Sequence, residues 1–125
     1  MYEIAVEIVF HAGHFLKLPQ GPQESLHRHA WRVRITVASE ELDATGLVMD
    51  FHHLRALLRQ TIAPLEKSKA INDLPEFTGA DKNPSTERIA RYIYDRLLTQ
   101  LPRSVRLTEV LLWETPTCRA GFRPR

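Results

Sequence analysis

Two stretches before residue 40 alternate apolar and polar side chains with a period of two, and such a chain is committed to a sheet with one covered face. Ile4, Val6, Ile8 and Phe10 share one parity while Glu3 and Glu7 take the other. Trp31, Val33, Ile35 and Val37 alternate in the same way with Arg32, Arg34 and Thr36. Residues two apart on an extended chain point to the same side. Both stretches therefore read as half-buried strands, the second of about ten residues. The interval between them is rich in turn formers, Lys17-Leu18-Pro19-Gln20-Gly21-Pro22, and reads as a loop.

Helical periods follow. Leu42-Asp43-Ala44-Thr45-Gly46 reads as a turn, and Asp50 is suited to cap a helix starting at Phe51. Phe51, Leu54, Leu58, Ile62 and Leu65 make one apolar stripe, and Pro64 is expected to end or kink that helix. Residues 66–83 read as polar and irregular. Asn83-Pro84 reads as a cap followed by proline at the first helical position, with Glu87 in the first turn, ahead of a second stripe at Ile89, Ile93, Leu97 and Leu101. Val105 to Glu114 is a third strand whose alternation slips near Thr108-Glu109, as at a bulge. Thr117 to Arg123 is a short fourth. The order ββααββ predicts an α+β domain over 1–125, a four-stranded antiparallel sheet with two helices on one face. Its two edges and bare face predict association with further copies.

Composition narrows the function classes. A net charge of +2 offers no electrostatic case for nucleic acid. No apolar run approaches membrane-span length, and the N-terminus lacks an export signal. Cys118 is the single cysteine, so no disulfide framework exists and a reducing cytoplasm is the expected setting.

His11, His14, His27 and His29 are four of the chain's six histidines. His27 and His29 share a strand face, and a third imidazole from the preceding strand would complete three nitrogen ligands. Three protein ligands with one open position are the pattern of a catalytic zinc ion, Zn2+, whereas structural sites are closed by four. His11 and His14 compete for the third place, and spacing does not choose between them.

Several ordered motifs make the chain resemble the 6-pyruvoyl-tetrahydropterin synthase family, which includes the 6-carboxytetrahydropterin synthases. They are Phe10-x-Ala12-x-His14-x-Leu16, Leu26-His27-Arg28-His29, Leu42-Asp43-x-Thr45-Gly46-x-Val48-x-Asp50-Phe51, Asn83-Pro84-Ser85-Thr86-Glu87 and Trp113-Glu114-Thr115-Pro116-Thr117. The resemblance implies the tunnelling fold (T-fold), whose subunit sheets close into an oligomeric barrel, a trimer or a dimer of trimers. It implies zinc on His14, His27 and His29. It further implies a small-molecule pterin substrate, 7,8-dihydroneopterin triphosphate, gripped at its ring by Glu114 with Thr115 beside it in a pocket between subunits. A carboxylate suits that task because it accepts two parallel N–H bonds.

The chain departs from the family at its acid–base positions. Gln23 stands where the family has a cysteine, Arg28 replaces the glycine between the histidines, and Lys67 and Ser68 occupy the place of an Asp-His pair. Glu24, three residues before His27, offers a replacement base. A branch with glutamate at that spacing cleaves the substrate side chain to give 6-hydroxymethyl-dihydropterin, a folate precursor. The expectation is a zinc-dependent pterin lyase with Glu24 as base. One alternative is a standard pyruvoyl or carboxy synthase using His52, His53 or the Glu66–Lys69 segment. The other is a zinc- and pterin-binding module without turnover. Lys17, Arg28 and Arg119 are the candidates for the triphosphate.

Overall fold

The computed structural model describes residues 1–20 and 23–125; Gly21 and Pro22 of the expected loop lie outside them. Strand β1 (Tyr2–His14) and strand β2 (His27–Ser39) pair antiparallel from Tyr2 opposite Ser39 to His14 opposite His27. Each is longer than its apolar alternation alone, because the ladder runs on through the histidines. Strand β3 (Arg106–Thr115) pairs with β2, and β4 (Cys118–Phe122) pairs with β3, giving the order β1-β2-β3-β4. Thr36 faces Glu109 while Val37 faces Leu107, so Thr108 is the extra residue of the expected bulge.

Both helices cover one face. Helix α1 (Phe51–Lys67) packs on β1, and helix α2 (Thr86–Leu98) packs on β3 and β4. Phe10, Trp31, Val33, Ile35, Leu54, Leu58, Ile62, Ile89, Ile93, Leu97, Val110 and Leu112 are buried between the layers, each large apolar side chain contributing about 1.5–3 kcal/mol. The Phe10 and Trp31 rings lie nearly parallel, 6.2 Å apart, beneath the end of the sheet that carries the histidines.

Four local expectations need correction. Helix α1 continues through Pro64 to Lys67 rather than ending there. Phe51, placed in the apolar stripe, is half exposed at the first turn. Helix α2 is capped by Ser85, whose hydroxyl accepts from the Arg88 N–H, and not by Asn83. Residues 66–83 contain two 3-10 turns, Ile71–Asp73 and Pro75–Phe77, that bury Ile71, Asn72 and Phe77.

Among the described residues, no helix lies on the other face of the sheet. Glu7 pairs there with Arg34 and Arg32, and the Arg34 guanidinium holds the Glu7 carboxyl below the ordinary range. Trp113 belongs to this face yet is only 8% exposed. The Arg32 guanidinium lies 3.9 Å over its ring, with Arg34 and Arg119 at 5.2 and 5.4 Å. Arginine stems thus shield apolar surface that no helix covers. Among the described residues, no helix is long and apolar enough to cross a membrane.

Candidate metal centre

One-to-one pairing of β1 with β2 places His14 opposite His27, and the two-residue period puts His29 on the same side. The three rings meet edge to face, with centroids 4.5 Å apart for His14 and His27, 4.7 Å for His27 and His29, and 5.5 Å for His14 and His29. Trp31 packs against His14 and His29 from below, and its indole Nε1 donates to the Ala12 carbonyl at 3.1 Å, tying the two strands together at this level.

Backbone carbonyls orient two of the imidazoles. His14 Nδ1 lies 2.7 Å from the Pro84 carbonyl, and His27 Nδ1 lies 2.9 Å from the Ser25 carbonyl. A carbonyl only accepts, so both Nδ1 atoms carry the proton, and in the neutral rings both Nε2 atoms present a lone pair. His14 is 1% exposed, and among the described residues its Nε2 and that of His29 are buried without a hydrogen-bond partner. One potential ligand atom from each of His14, His27, His29 and Glu114 lies within 4.8 Å of all the others. Burial lowers the His29 pKa; Glu114 opposes that shift, and the neighbouring imidazoles reinforce it. Orphaned lone pairs, carbonyl-oriented rings and a nitrogen–oxygen donor set are what a divalent metal such as zinc requires, so these residues fit one.

The glutamates take different positions. Glu114 Oε1 is 2.8 Å from His14 Nε2 and 3.7 Å from His29 Nε2, directly over the imidazole cluster. Glu24 sits behind His27: its Oε1 is 3.6 Å from His27 Nδ1 and accepts the Leu16 N–H at 3.1 Å. Thr115 is turned away, lining a shallow cavity of the open face with Val9, Ala30, Arg32, Trp113 and Pro116.

The remaining candidates are not gathered here. His11 is exposed and belongs to the opposite parity of β1. Lys17 is occupied elsewhere, its ammonium donating to the carbonyls of Phe77 and Gly79 at 3.3 and 3.1 Å. Arg28 and Arg119 are exposed, as are His52 and His53 on the first turn of α1, Glu66 and Lys67 on its last turn and Lys69 after it. Asn72, not singled out from the sequence, and Asn83, read there as a helix cap, prove important. Asn72 Oδ1 accepts from the Phe15 N–H at 3.0 Å and its Nδ2 donates to the Phe15 carbonyl at 2.9 Å; Asn83 does the same for Lys17 at 2.6 and 2.9 Å. The chain just past His14 is thereby held straight by two side-chain amides. A polar asparagine within an otherwise buried turn was the available signal.

Known proteins resemble this chain along most of its length. The family model described as 6-pyruvoyl tetrahydropterin synthase matches residues 3–125. The 6-carboxy-5,6,7,8-tetrahydropterin synthase of Synechocystis is 35% identical over 130 residues, spanning 100% of this chain and 96% of that protein. The dihydroneopterin monophosphate aldolase of Pyrococcus furiosus is 31% identical over 105 residues, spanning 84% of this chain and 82% of its own. In fold, a catalytic-residue mutant of the Plasmodium vivax 6-pyruvoyltetrahydropterin synthase superposes with a TM-score of 0.77 at 22% identity, over 98% of this chain and 97% of that one. With the family model matching residues 3–125 and a 35% identical relative spanning the whole chain, the chain belongs to the 6-pyruvoyl tetrahydropterin synthase family.

Proposed function

We propose that this enzyme is a zinc-dependent lyase that cleaves the side chain of a phosphorylated 7,8-dihydroneopterin to 6-hydroxymethyl-dihydropterin. The observation that carries the reading is the placement of Glu24. Its carboxylate is held by the Leu16 N–H beside the ligand His27, while Gln23 stands where the family cysteine would be. Support comes from two relatives: an aldolase acting on dihydroneopterin monophosphate, and a Plasmodium synthase whose catalytic-residue mutant replaces a glutamate.

His14, His27 and His29 would hold zinc through Nε2. Zinc bound there would supply Lewis acidity toward the side-chain hydroxyls, lowering their pKa. Glu114 accepts the N–H groups of the ring and fixes the side chain over the imidazoles. Glu24 takes the proton from the hydroxyl on the second side-chain carbon. The bond between the first and second carbons then breaks, and an aldehyde bearing the phosphate departs. The freed electron pair passes into the ring imine and is reprotonated at the first carbon, leaving the hydroxymethyl group. This step consumes no oxidant or reductant.

The unpaired edges of β1 and β4 fit the closed oligomeric barrel of the family, a trimer or a dimer of trimers, with the pterin pocket completed between subunits. A standard 6-carboxy product is the second reading, favoured by the Synechocystis relative, and it requires a base other than Glu24.

The test is product analysis. Zinc-loaded protein incubated with 7,8-dihydroneopterin monophosphate, and separately with the triphosphate, should release 6-hydroxymethyl-dihydropterin. Glu24→Gln should lower that rate about 10²- to 10⁴-fold, the usual contribution of a positioned base. A pyruvoyl or carboxy product refutes the cleavage reading, and tight ring binding with no product supports a binding module instead.

A further inference from the structure

A second cavity lies outside the metal centre, on the solvent side of α2. Arg91 and Tyr92, then Asp95 and Arg96, follow Arg88 at three- and four-residue steps, so one flank of the helix presents all five. Glu76 and Phe77 of the 3-10 turn Pro75–Phe77 form the opposite wall of a groove of about 290 Å³. None of these residues belongs to the histidine cluster.

The charges do not cancel. Arg96 Nη2 donates to Glu76 Oε2 at 2.8 Å, and Arg91 Nε donates to the two Asp95 oxygens at 3.1 and 3.2 Å. Among the described residues, Arg88 pairs with no carboxylate. Three guanidinium groups against two carboxylates leave one positive charge in excess. Tyr92 adds a neutral donor: it is 6% exposed, and its hydroxyl is buried without a hydrogen-bond partner among the described residues. Buried hydroxyls are normally satisfied, so an exception calls for an explanation. Burial holds this phenol above its ordinary range, with Arg96 opposing and Glu76 adding, and it stays a donor at neutral pH. Long side chains on a helix lean toward its N-terminal turns, so Tyr92 runs back toward Arg88.

The walls around these donors are apolar. The Phe77 ring lies 5.5 Å from that of Tyr92, and the Arg96 guanidinium lies 4.8 Å over the Tyr92 ring. Arginine stems add further apolar surface. One surplus cation and one orphaned donor suit a single carboxylate, which accepts from both. A dianion would set its second charge against Glu76 and Asp95. The groove sits at the small end of the usual range for ligand cavities, about 300–1,000 Å³.

We propose that this groove binds a small aromatic carboxylate, its carboxylate held by Arg88 and the Tyr92 hydroxyl and its ring set along Phe77 and the arginine stems. Arg88, exposed and unpaired, is free to change rotamer as the ligand enters. Nothing in this site depends on the metal or on the lyase reaction.

The test is calorimetric titration of zinc-loaded protein with benzoate, the metal centre being kept occupied by saturating pterin. One benzoate should bind per chain. Inorganic phosphate, a charge without a ring, and benzyl alcohol, a ring without a charge, should each bind at least tenfold more weakly. Arg88→Gln and Tyr92→Phe should each weaken benzoate about tenfold or more, the worth of a hydrogen bond to a charged group. Tyr92→Phe should be no less stable to urea, because it removes a hydroxyl that has no partner to lose. Absence of benzoate binding, or affinity unchanged by both substitutions, overturns the site. Phosphate or benzyl alcohol binding as tightly as benzoate overturns the ligand class. A clear loss of stability in Tyr92→Phe overturns the assignment of its hydroxyl to a ligand.

Discussion

Asn83 and Lys17, 66 positions apart, exchange two hydrogen bonds: the Lys17 N–H donates to Asn83 Oδ1 at 2.6 Å, and Asn83 Nδ2 donates to the Lys17 carbonyl at 2.9 Å. Pro84, the next residue, accepts from His14 Nδ1. One short segment before α2 thus holds both the imidazole that ends β1 and the backbone that follows it.

Replacing either amide should therefore loosen the metal centre as well as the fold. Asn72→Ala leaves the Phe15 N–H and carbonyl without their partner, and each unsatisfied buried group costs about 1–3 kcal/mol. Urea denaturation should show a loss of about 2–3 kcal/mol for Asn72→Ala and a smaller loss for the more exposed Asn83→Ala. Zinc titration should show weaker binding in both. Unchanged zinc affinity alongside lowered stability would mean that the amides serve the fold only.

Acid should weaken the metal-free protein through His29. Burial holds its folded pKa below the ordinary value of 6.5, with repulsion from His27 and His14 outweighing part of the help from Glu114. The unfolded chain therefore takes up a proton at His29 more readily than the folded one. Its contribution to stability is complete above pH about 6.5 and is lost as pH falls toward and through the folded pKa. Urea midpoints of zinc-free protein should fall from pH 8 to pH 5, and His29→Asn should flatten that slope. Identical slopes for the two proteins would remove His29 as the source.

Trp31 should matter to both layers of the site. It is fully buried, donates to the Ala12 carbonyl and floors His14 and His29. Trp31→Phe removes one ring and one hydrogen bond from a closed core, at a cost of about 2–3 kcal/mol. Thermal or urea unfolding checks the stability, and zinc affinity should fall as the imidazoles lose their support.

The sheet was legible because its residues repeat a period of two without interruption from Ile4 to Phe10 and from Trp31 to Val37, and even the slip at Thr108 showed as broken alternation. Strand parity also held the answer to the choice between His11 and His14. Carried four residues past Phe10, the covered parity lands on His14, whereas His11 belongs with Glu7 and Val9 on the open face. The helix ends were less legible because side-chain chemistry there was spent at long range. Asn83 has a capping amide, but Lys17 uses it, so the role passes to Ser85. Lys17 likewise reads as a free cation until the carbonyls of Phe77 and Gly79 are brought beside it. Glu114 could be assigned to a ring by family resemblance, but its distance to His14 depends on how β3 registers against β2, which no local pattern encodes. Thr115 follows Glu114 in sequence and faces the other way for the same reason that the strands alternate.

The account rests on three imidazoles from β1 and β2 converging on one metal ion, and zinc titration of single-histidine variants tests it most directly. The protein should bind one zinc per chain. His14→Ala, His27→Ala and His29→Ala should each weaken binding by more than the roughly 10- to 100-fold that follows loss of a ligand's hydrogen-bonding partner. His11→Ala, exposed on the opposite face, should leave binding unchanged. A chain that binds no zinc, or one in which His11→Ala weakens binding as much as His14→Ala, would contradict the account.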